Sequence, residues 1–427
     1  MPARVVLGVG AGIAAYKACE LLRLLTESGH HVRVVPTPDA LRFVGEATWA
    51  ALSGEPVTTD AWTDVAEVPH VRLGQSASLI LVVPATADLL ARAAAGMAGD
   101  LLTATLLTAR CPVLYAPAMH TEMWEHPATQ ASVSLLRSRG AIVLEPAVGR
   151  LTGADSGAGR LPEPAEIFAV ATRLLAGTRQ DLAGRRVVVS AGGTREEIDP
   201  VRFIGNWSTG TQGYALARTA VARGAEVTVV AASVALPDPA GAKVVRVVSA
   251  REMRDAVLAA SGDADAVVMA AAVADYRPLA RSEAKIKKDG QPPEPLRLTE
   301  NPDILAELAA HRAGRAGRAG RADRAGRADR AGRAGRAGRA GRAGRRPQIL
   351  VGFAAETDTA PAPAWAKLAR KGCDLLVVNP VGGGLGFGTA DNEAVVFGAD
   401  GSLTTIPRGP KEALADVVWD LVAARLE

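Results

Sequence analysis

Short apolar runs alternate with longer amphipathic stretches along most of the chain. This alternation is typical of βαβ units, in which helices connect the strands of a parallel sheet. In the first half we predict a long helix through "GIAAYKACELLRLLTESG" and strands in "RVVLGV", "HVRVVPT", "LILVVPA", "PVLYAP" and "AIVLEP". The first half is therefore expected to form one doubly wound α/β domain.

The stretch from Leu174 to Arg186 is polar and rich in turn-forming residues, and the alternation restarts after it. Further strands are predicted in "RVVVSAGG", "EVTVVAA", "KVVRVVS", "DAVVMAAA", "QILVGFAA" and "DLLVVNP", followed by a hairpin through "EAVVFGADGSLTTIP". We therefore predict two doubly wound, Rossmann-like parallel-sheet domains of the α/β class, which cover residues 1–178 and 179–427.

At 427 residues the chain is too long for one compact core, which agrees with two domains. Its three cysteines are widely spaced and odd in number, so they indicate neither a disulfide framework nor a zinc site. The sequence predicts neither a secretory leader nor an apolar run of membrane-spanning length. We expect a soluble cytoplasmic protein that binds no membrane.

The net charge of +4 conceals an uneven distribution of charge. Residues 312–346 contain thirteen arginines and two aspartates, which gives this segment a charge of +11 and leaves −7 for the rest of the chain. A three-residue Arg/Ala/Gly repeat matches neither the helical nor the strand period and has no large apolar residue to pack. We predict a disordered insertion in the second domain, and we consider nucleic-acid binding by this segment the weaker alternative.

In open parallel sheets, ligands bind outside the carboxyl ends of the strands. The first strand is followed by a turn with Gly10 and Gly12, and the third strand ends at Pro84 just before a helix predicted near Thr86. Glycine there is explained equally by packing and by a bound phosphate group. No acidic residue ends the second strand, where Thr37 stands, so the pattern does not indicate NAD binding.

Several longer motifs carry a resemblance to known families. "GIAAYK", "PHVRLG", "PATADLLARAAAGMAGDLLTATLL" and "PAMHTEMW" resemble the homo-oligomeric flavin-containing cysteine decarboxylases. "AGGTREEIDPVRFIGNWSTG", "AAAVADYRP", "KIKK", "NPDIL", "VGFAAET" and "KLARKGCDLLVVN" resemble phosphopantothenate–cysteine ligase. Both sets in this order are similar to the bifunctional decarboxylase/ligase family of bacterial coenzyme A biosynthesis.

This resemblance implies a flavoprotein followed by a nucleotide-dependent ligase. The ligase would join cysteine to 4′-phosphopantothenate with CTP and Mg²⁺, through an acyl cytidylate, and the first domain would decarboxylate 4′-phosphopantothenoylcysteine to 4′-phosphopantetheine with FMN. The family further implies a trimer-based decarboxylase and a dimeric ligase. Two other hypotheses stay open: a nucleic-acid-associated protein that uses the arginine repeat, and a flavin oxidoreductase without decarboxylation.

In the first domain, the resemblance assigns His70 as the catalytic histidine, which suits proton transfer near neutral pH. His120 stands where the family has a substrate-binding asparagine, so we favour substrate contact, with Met123 beside it, over packing or metal ligation. "GRLTGADSGAGRLPEP" resembles the active-site flap but lacks its cysteine, so the proton donor for the last step is unassigned among Thr152, Asp155 and Ser156. The predicted FMN contacts are Gly10, Gly12, Ile13, Thr37, Ala85 and Thr86.

In the second domain, the resemblance assigns Asn206 to orientation of the acyl cytidylate and Lys285 to catalysis and nucleotide binding. Thr211 stands where the family often has a lysine, and no protein ligand for Mg²⁺ is named. The predicted phosphopantothenate contacts are Gly192, Gly193, Ser208 and Gly210. The predicted CTP contacts are Met269, Ala270, Ala271, Asp275, Lys285, Asn301, Pro302, Asp303, Ile304, Phe353, Lys367 and Lys371.

Overall fold

The computed structural model describes residues 2–59, 68–151, 155–287, 295–314, 348–356, 361–382, 386 and 388–427. The chain folds as two compact units, the first built mainly from Met1–Arg185 and the second mainly from residues 186–216 and 245–427. Thr152 and nearly all of the predicted arginine-rich insertion lie outside the described residues.

The first unit is built on a five-stranded parallel sheet. The strands are β1 (Arg4–Val9), β2 (His31–Pro36), β3 (Leu79–Ala85), β4 (Val113–Pro117) and β5 (Ile142–Val143). They lie in the order β2-β1-β3-β4-β5, which is the flavodoxin-like order of doubly wound folds. Every residue of β3 is buried, as expected for the central strand of a sheet covered on both faces.

Eight helices accompany this sheet among the described residues of the first unit. They are α1 (Ala15–Glu27), α2 (Glu46–Ser53), α3 (Pro69–Ser76), α4 (Ala87–Ala95), α5 (Leu101–Leu107), α6 (Thr121–Glu125), α7 (Pro127–Ser138) and α8 (Pro164–Leu175). A short hairpin, β6 (Ala147–Arg150) with β7 (Ser156–Arg160), occupies the segment predicted to form a flap. In α1 the buried residues Ala18, Leu21, Leu22 and Leu25 repeat at helical spacing, which explains why this segment packs as a helix.

The second unit contains an eight-stranded sheet in the order β12-β11-β8-β13-β16-β17-β18-β19. Its strands are β8 (Arg186–Gly192), β11 (Glu226–Ala232), β12 (Ala242–Val247), β13 (Ala266–Met269), β16 (Ile349–Glu356), β17 (Leu375–Pro380), β18 (Asp391–Gly398) and β19 (Leu403–Pro410). The run from β8 to β17 is parallel, and β18 and β19 form the antiparallel hairpin that the sequence predicts. Both sheets confirm the predicted α/β class.

The described residues of this part of the chain also form two small hairpins and five α-helices. The hairpins pair β9 (Arg195–Glu197) with β10 (Phe203–Gly205) and β14 (Tyr276–Pro278) with β15 (Leu298–Glu300). The helices are α9 (Thr211–Ala222), α10 (Ala250–Ala260), α11 (304–314), α12 (Pro361–Lys371) and α13 (Lys411–Leu426). Among the helices described, none combines the length and the apolar character that a membrane crossing requires.

The arginine-rich segment begins inside a helix, which corrects the predicted start of the insertion at residue 312. Arg312 lies on α11, where its guanidinium forms an ion pair with Asp374. It also donates to the carbonyl oxygens of Gln348 and Gly372, each 2.9 Å away. These bonds fix Arg312 against the sheet, so this arginine is part of the folded unit.

Candidate active sites

The first candidate site lies where β1 and β3 end side by side. In the order β2-β1-β3-β4-β5, this is the point at which the connections change direction and a crevice opens. Gly10 N donates to Pro84 O across 3.0 Å, and a Cβ on Gly10 would stand 2.5 Å from that oxygen. Close packing therefore requires glycine at position 10, which is one of the two explanations that the sequence allows for this residue.

Beyond Gly10 the turn opens toward solvent. A Cβ on Gly12 would meet nothing closer than Thr86 Cγ2 at 3.8 Å, and Ile13 is 70% exposed. Helix α1 begins at Ala15 without a side-chain cap, although Ala15 N and Lys17 N donate to the carbonyl oxygens of Gly12 and Ala14 over 2.9 Å and 3.0 Å. An open glycine turn before an uncapped helix fits a phosphate-bearing ligand.

Polar groups of two other strand ends border this turn. Thr37 N donates to Val9 O over 2.9 Å, and the buried Thr37 Oγ1 has no hydrogen-bond partner among the described residues. Ala85 ends β3, and Thr86 caps α4 by accepting a bond from Leu89 N at 3.3 Å. A buried hydroxyl without a partner is normally satisfied by a ligand or by water. These residues therefore fit the predicted FMN.

His70 is held at the start of α3 by close packing on α5. Thr108 Oγ1 donates to His70 O over 2.8 Å. A Cβ on Gly74 would lie 2.1 Å from Thr108 Oγ1, so the two helices approach closely only because residue 74 is glycine. His70 Nδ1 is buried without a hydrogen-bond partner in the described part of the chain. The main chain of His70 is thus held in place by a hydrogen bond, while Nδ1 of its ring can still form a hydrogen bond with a ligand or with water.

Replacing Gly74 with alanine is expected to separate α3 from α5 and to move His70. Overpacking of this kind costs about 1–3 kcal/mol of folding free energy, and a misplacement of about 1 Å can cost about 100-fold in rate. Chemical denaturation and carbon dioxide release measure the two effects. Gly45→Ala is the matched control, because a Cβ there meets nothing within 4 Å. Unchanged stability and activity in Gly74→Ala would contradict this account of how His70 is positioned.

His120 and the β6–β7 hairpin lie together at the carboxyl end of β4. Met119 N donates to Gly159 O over 2.9 Å, and a Cβ on Gly159 would stand 2.2 Å from Met119 O. The His120 side chain is exposed, and Met123 beside it is 47% exposed, whereas Trp124 is buried in the core. Within the described residues, no group of three or more potential metal ligands is close enough to hold a metal ion.

The second candidate site is a cavity of about 700 Å³ in the second unit, formed where β13, β16 and β17 end. Most residues that the sequence predicts for CTP and phosphopantothenate line it. They are Asn206, Ser208, Gly210, Met269, Ala270, Ala271, Asp275, Asn301, Pro302, Asp303, Ile304, Phe353, Lys367 and Lys371. Gly192, Gly193 and Lys285 do not line it.

Gly192 and Gly193 lie immediately behind the cavity wall. Gly192 has a φ of +85°, and a Cβ there would stand 1.9 Å from Ala232 O. A Cβ on Gly193 would lie 3.1 Å from Asn206 O, so this glycine lets the Asn206 loop approach. Asn206 Nδ2 in turn donates to Ala272 O over 2.9 Å. The two glycines therefore do not line the cavity, but they allow the backbone segments that form its wall to pack closely.

Both predicted lysines of α12 are engaged with carboxylates at the cavity. Lys367 Nζ lies 2.8 Å from Glu356 Oε1, and Lys371 Nζ lies 2.6 Å from Asp303 Oδ2. Asp303 Oδ1 also accepts a bond from Ala306 N at 3.1 Å, so it caps α11. The two lysines are four residues apart on α12, so they share one face of the helix, and both line the cavity.

Lys285 lies on an exposed segment that is tied to the loop between β9 and β10. Ile286 N donates to Asp199 Oδ2 over 3.2 Å, and Arg202 Nη2 donates to Ile286 O over 2.8 Å. Hydrogen bonds from Arg202 hold the pKa of the Asp199 carboxyl far below its usual value. The carboxylate that binds Ile286 N is therefore negatively charged at neutral pH. The anchor fixes residue 286, while the side chain of Lys285 is exposed.

Several lining residues were not predicted from the sequence, among them Gln212, Asn379, Asn392 and Lys411. Gln212 Nε2 donates to Lys411 O over 3.1 Å, and Asn392 Nδ2 donates to Gln212 Oε1 over 3.2 Å. Lys411 is the first residue of α13, and a lysine is usually exposed to solvent. No sequence signal marked its burial.

The chain is an α/β protein of two units, and each unit has a candidate site where parallel strands of its sheet end. Residues 2–176 match the family model described as "Flavoprotein", and residues 182–320 and 338–426 match "DNA/pantothenate metabolism flavoprotein C-terminal domain". The chain belongs to the family of coenzyme A biosynthesis bifunctional proteins.

Three relatives with that name illustrate the similarity. The protein of Mycobacterium tuberculosis (strain ATCC 25618 / H37Rv) is 54% identical over 434 residues, which cover 100% of this chain and 97% of that protein. The Mycolicibacterium smegmatis protein is 54% identical, with 99% and 98% covered. The Vibrio cholerae protein is 38% identical, with 98% and 97% covered. The similarity therefore spans both units.

Proposed function

We propose that the chain is a bifunctional enzyme of coenzyme A biosynthesis. Its second domain, residues 179–427, ligates cysteine to 4′-phosphopantothenate with CTP and Mg²⁺, and its first domain, residues 1–178, decarboxylates the product to 4′-phosphopantetheine. The observation that carries the proposal is the cavity of the second unit, whose lining gathers residues from widely separated motifs. Membership of the family supports both halves.

In the first domain, the open turn at Gly12, the start of α1 and the Thr37 hydroxyl would hold FMN. Bound FMN supplies a two-electron oxidation and reduction at the thiol end of the substrate, which eases loss of the neighbouring carboxylate. His70 moves the proton, because a neutral imidazole nitrogen accepts one near pH 7. His120 at the hairpin binds the substrate carboxylate through a charge-assisted hydrogen bond.

In the second domain, activation of a carboxylate requires a better leaving group, which the proposed attack on CTP provides by releasing pyrophosphate. Lys367 and Lys371 approach the triphosphate, exchanging their carboxylate partners for phosphate oxygens. Asn206 orients the acyl carbonyl from the loop behind which Gly193 packs. Mg²⁺ is held largely by phosphate oxygens and water.

The assembly and the location of the enzyme belong to the same proposal. We infer a cytoplasmic homo-oligomer, with trimers formed through the decarboxylase and dimers through the ligase. Large apolar side chains exposed on each unit support association, among them Phe43 and Met97 on the first and Phe203 and Trp207 on the second.

One assay tests both activities together. The purified protein receives 4′-phosphopantothenate, cysteine, CTP and Mg²⁺, and pyrophosphate and carbon dioxide are measured. We expect both products, a flavin absorbance spectrum, and loss of pyrophosphate release when the metal is chelated. Pyrophosphate without carbon dioxide would leave only the ligase, and flavin without either product would favour an oxidoreductase of another kind.

A further inference from the structure

The loop that follows β13, residues 270–275, forms one wall of the second-unit cavity. All six of its residues line the cavity, and they include the proposed CTP contacts Ala270, Ala271 and Asp275. The loop has the sequence "AAAVAD", so Asp275 is its one residue with a polar side chain. Side chains of alanine and valine form no hydrogen bonds that could fix the backbone of such a loop. Its conformation therefore depends on groups that bind its peptide bonds.

Two buried hydroxyl groups bind peptide N–H groups of this loop. Ser190 Oγ, on β8, accepts a hydrogen bond from Ala271 N over 3.0 Å. Thr194 Oγ1 accepts a hydrogen bond from Ala274 N over 2.9 Å. Both hydroxyl-bearing residues have a relative exposure of 0%, and neither is among the described residues that line the cavity. The two side chains therefore hold the loop from behind the wall, without facing the ligand themselves.

Thr194 binds the loop at two points. In addition to the bond from Ala274 to its side chain, Thr194 N donates to Ala272 O over 3.2 Å. Ala272 N in turn donates to Gly192 O over 2.8 Å, and the residues at positions 193 and 272 form an isolated parallel β-bridge. The main chain thus fixes the loop at Ala272, while its conformation two residues further on depends on the Thr194 hydroxyl.

The segment that contains Thr194 has supports of its own. Arg195 N donates to Val248 O over 2.9 Å. The buried Glu196 accepts a hydrogen bond from Ala250 N, at the start of α10, over 2.9 Å. These bonds do not involve the side chain of Thr194. Removing its hydroxyl therefore takes away a support of the loop and leaves the backbone of residues 194–196 in place.

The far end of the loop is bound by Asn301, another residue of the cavity wall. Asn301 Nδ2 donates to Ala274 O over 2.9 Å, and Asn301 N donates to Asp275 O over 2.8 Å. Ala274 is thus held through both of its peptide groups, by Thr194 at its N–H and by Asn301 at its C=O. Loss of the Thr194 hydroxyl would leave a buried N–H group without an acceptor, which is unfavourable.

We propose that Thr194 is a positioning residue of the ligase, whose hydroxyl holds the 270–275 loop in the conformation that receives CTP. This inference rests on the proposed ligase function and deepens it, because it assigns part of the nucleotide affinity to a side chain that does not contact the nucleotide. Without the hydroxyl, the loop populates other conformations in which Ala274 N finds a different acceptor. The apparent affinity for CTP then falls in proportion to the fraction of protein in the competent conformation.

The test compares the full-length protein with Thr194→Val, which keeps the shape of the side chain but removes its hydroxyl. Pyrophosphate release is measured against the concentration of CTP, with 4′-phosphopantothenate and cysteine in excess. We expect the KM for CTP to rise by about 10-fold to 100-fold, the range that corresponds to an unsatisfied buried N–H group. The kcat at saturating CTP should change by less than about threefold, because bound nucleotide restores the loop.

Two further variants make this result specific to the hydroxyl. Thr194→Ser keeps the acceptor and should have a KM for CTP within about threefold of the wild type. Thr405→Val makes the same exchange on the exposed side of β19 and should leave all parameters unchanged. Decarboxylation of 4′-phosphopantothenoylcysteine should continue in all three variants, since the loop and its supports belong to the second unit.

Hydrogen–deuterium exchange of the nucleotide-free protein provides a readout that does not require turnover. In Thr194→Val, the amides of residues 270–275 should exchange faster than in the wild type, because a hydrogen bond that protects them is lost. The amides of β8 should exchange at the wild-type rate, since their ladder bonds to β13 stay in place. Thr194→Ser should retain the wild-type protection of the loop.

Three results would overturn the inference. An unchanged KM for CTP in Thr194→Val would show that the hydroxyl is not needed, and a Thr194→Ser protein as impaired as Thr194→Val would assign the effect to the methyl group. A kcat that stays low at saturating CTP would make the residue structural. A wild-type protein that releases no pyrophosphate from CTP would instead count against the ligase function, while the exchange measurement would still test the hydroxyl. The two failures are therefore distinguishable.

Discussion

Replacing His70 with asparagine is expected to reduce carbon dioxide release by about 100-fold to 10,000-fold, the range that general acid–base catalysis supplies. Asparagine can donate and accept hydrogen bonds but does not take up a proton near neutral pH. The α3–α5 packing uses His70 O and Gly74, so the substitution leaves that packing in place. The flavin content of the purified variant, read from its absorbance, should match that of the wild type.

Two controls make this result specific to His70. His31→Asn changes an exposed histidine on β2 and should leave decarboxylation unaffected. Pyrophosphate release by the His70 variant should also stay at the wild-type level, because the described residues that line the cavity all belong to the second unit. A His70→Asn protein with full decarboxylase activity would remove His70 from the mechanism.

The main strands of both sheets could be predicted because buried strands are continuous runs of apolar residues in the sequence. "LILVVPA" became β3 over Leu79–Ala85, and "RVVVSAGG" became β8 over Arg186–Gly192. Strands buried on both faces need continuous apolar residues, and that requirement is visible without a structure. "AIVLEP" was less accurate, since only Ile142 and Val143 pair as β5.

The smaller hairpins escaped prediction because their strands are too short to show a period. β9, β10, β14 and β15 each have three residues, and β7 has the sequence "SGAGR", without a β-branched or aromatic side chain. Their conformations depend on contacts far along the chain, such as Gly159 against Met119. A strand of that kind is stabilised by its neighbours and carries little local signal.

Some residues of the candidate sites could be predicted from the sequence, and others could not. Residues at strand ends, such as Thr86 and Met269, could be located because the carboxyl edge of a parallel sheet follows from topology. Lys411 could not, because its burial depends on packing between α13 and a loop near Gly386. Asn301 and Phe353, which were chosen from the motifs "NPDIL" and "VGFAAET", line the cavity. Lys285, which was chosen from the lysine-rich motif "KIKK", does not line it.

Replacing Lys285 with glutamine is expected to lower ligase turnover by about 100-fold or more, while decarboxylation of preformed 4′-phosphopantothenoylcysteine continues. Lys285 is exposed, and no ion pair with it is found among the described residues. Lys367 and Lys371 already have carboxylate partners, so a further cation is needed when phosphate charge accumulates during acyl transfer. Pyrophosphate and phosphopantothenoylcysteine are measured separately, so that activation and amide formation can be distinguished.

The anchoring of the Lys285 segment decides how this result is interpreted. Ile286 is held by Asp199 and Arg202, in the loop that leads into β10 and then to Asn206, so Lys285 and Asn206 lie on linked segments. Lys287→Gln removes the same charge two residues away and is the matched control. A loss confined to Lys285→Gln means that its amine reaches the reacting groups, because a general electrostatic effect would lower both variants similarly. Equal, small losses in both would contradict a catalytic role for Lys285 and leave the cavity lysines of α12 as the cations of the reaction.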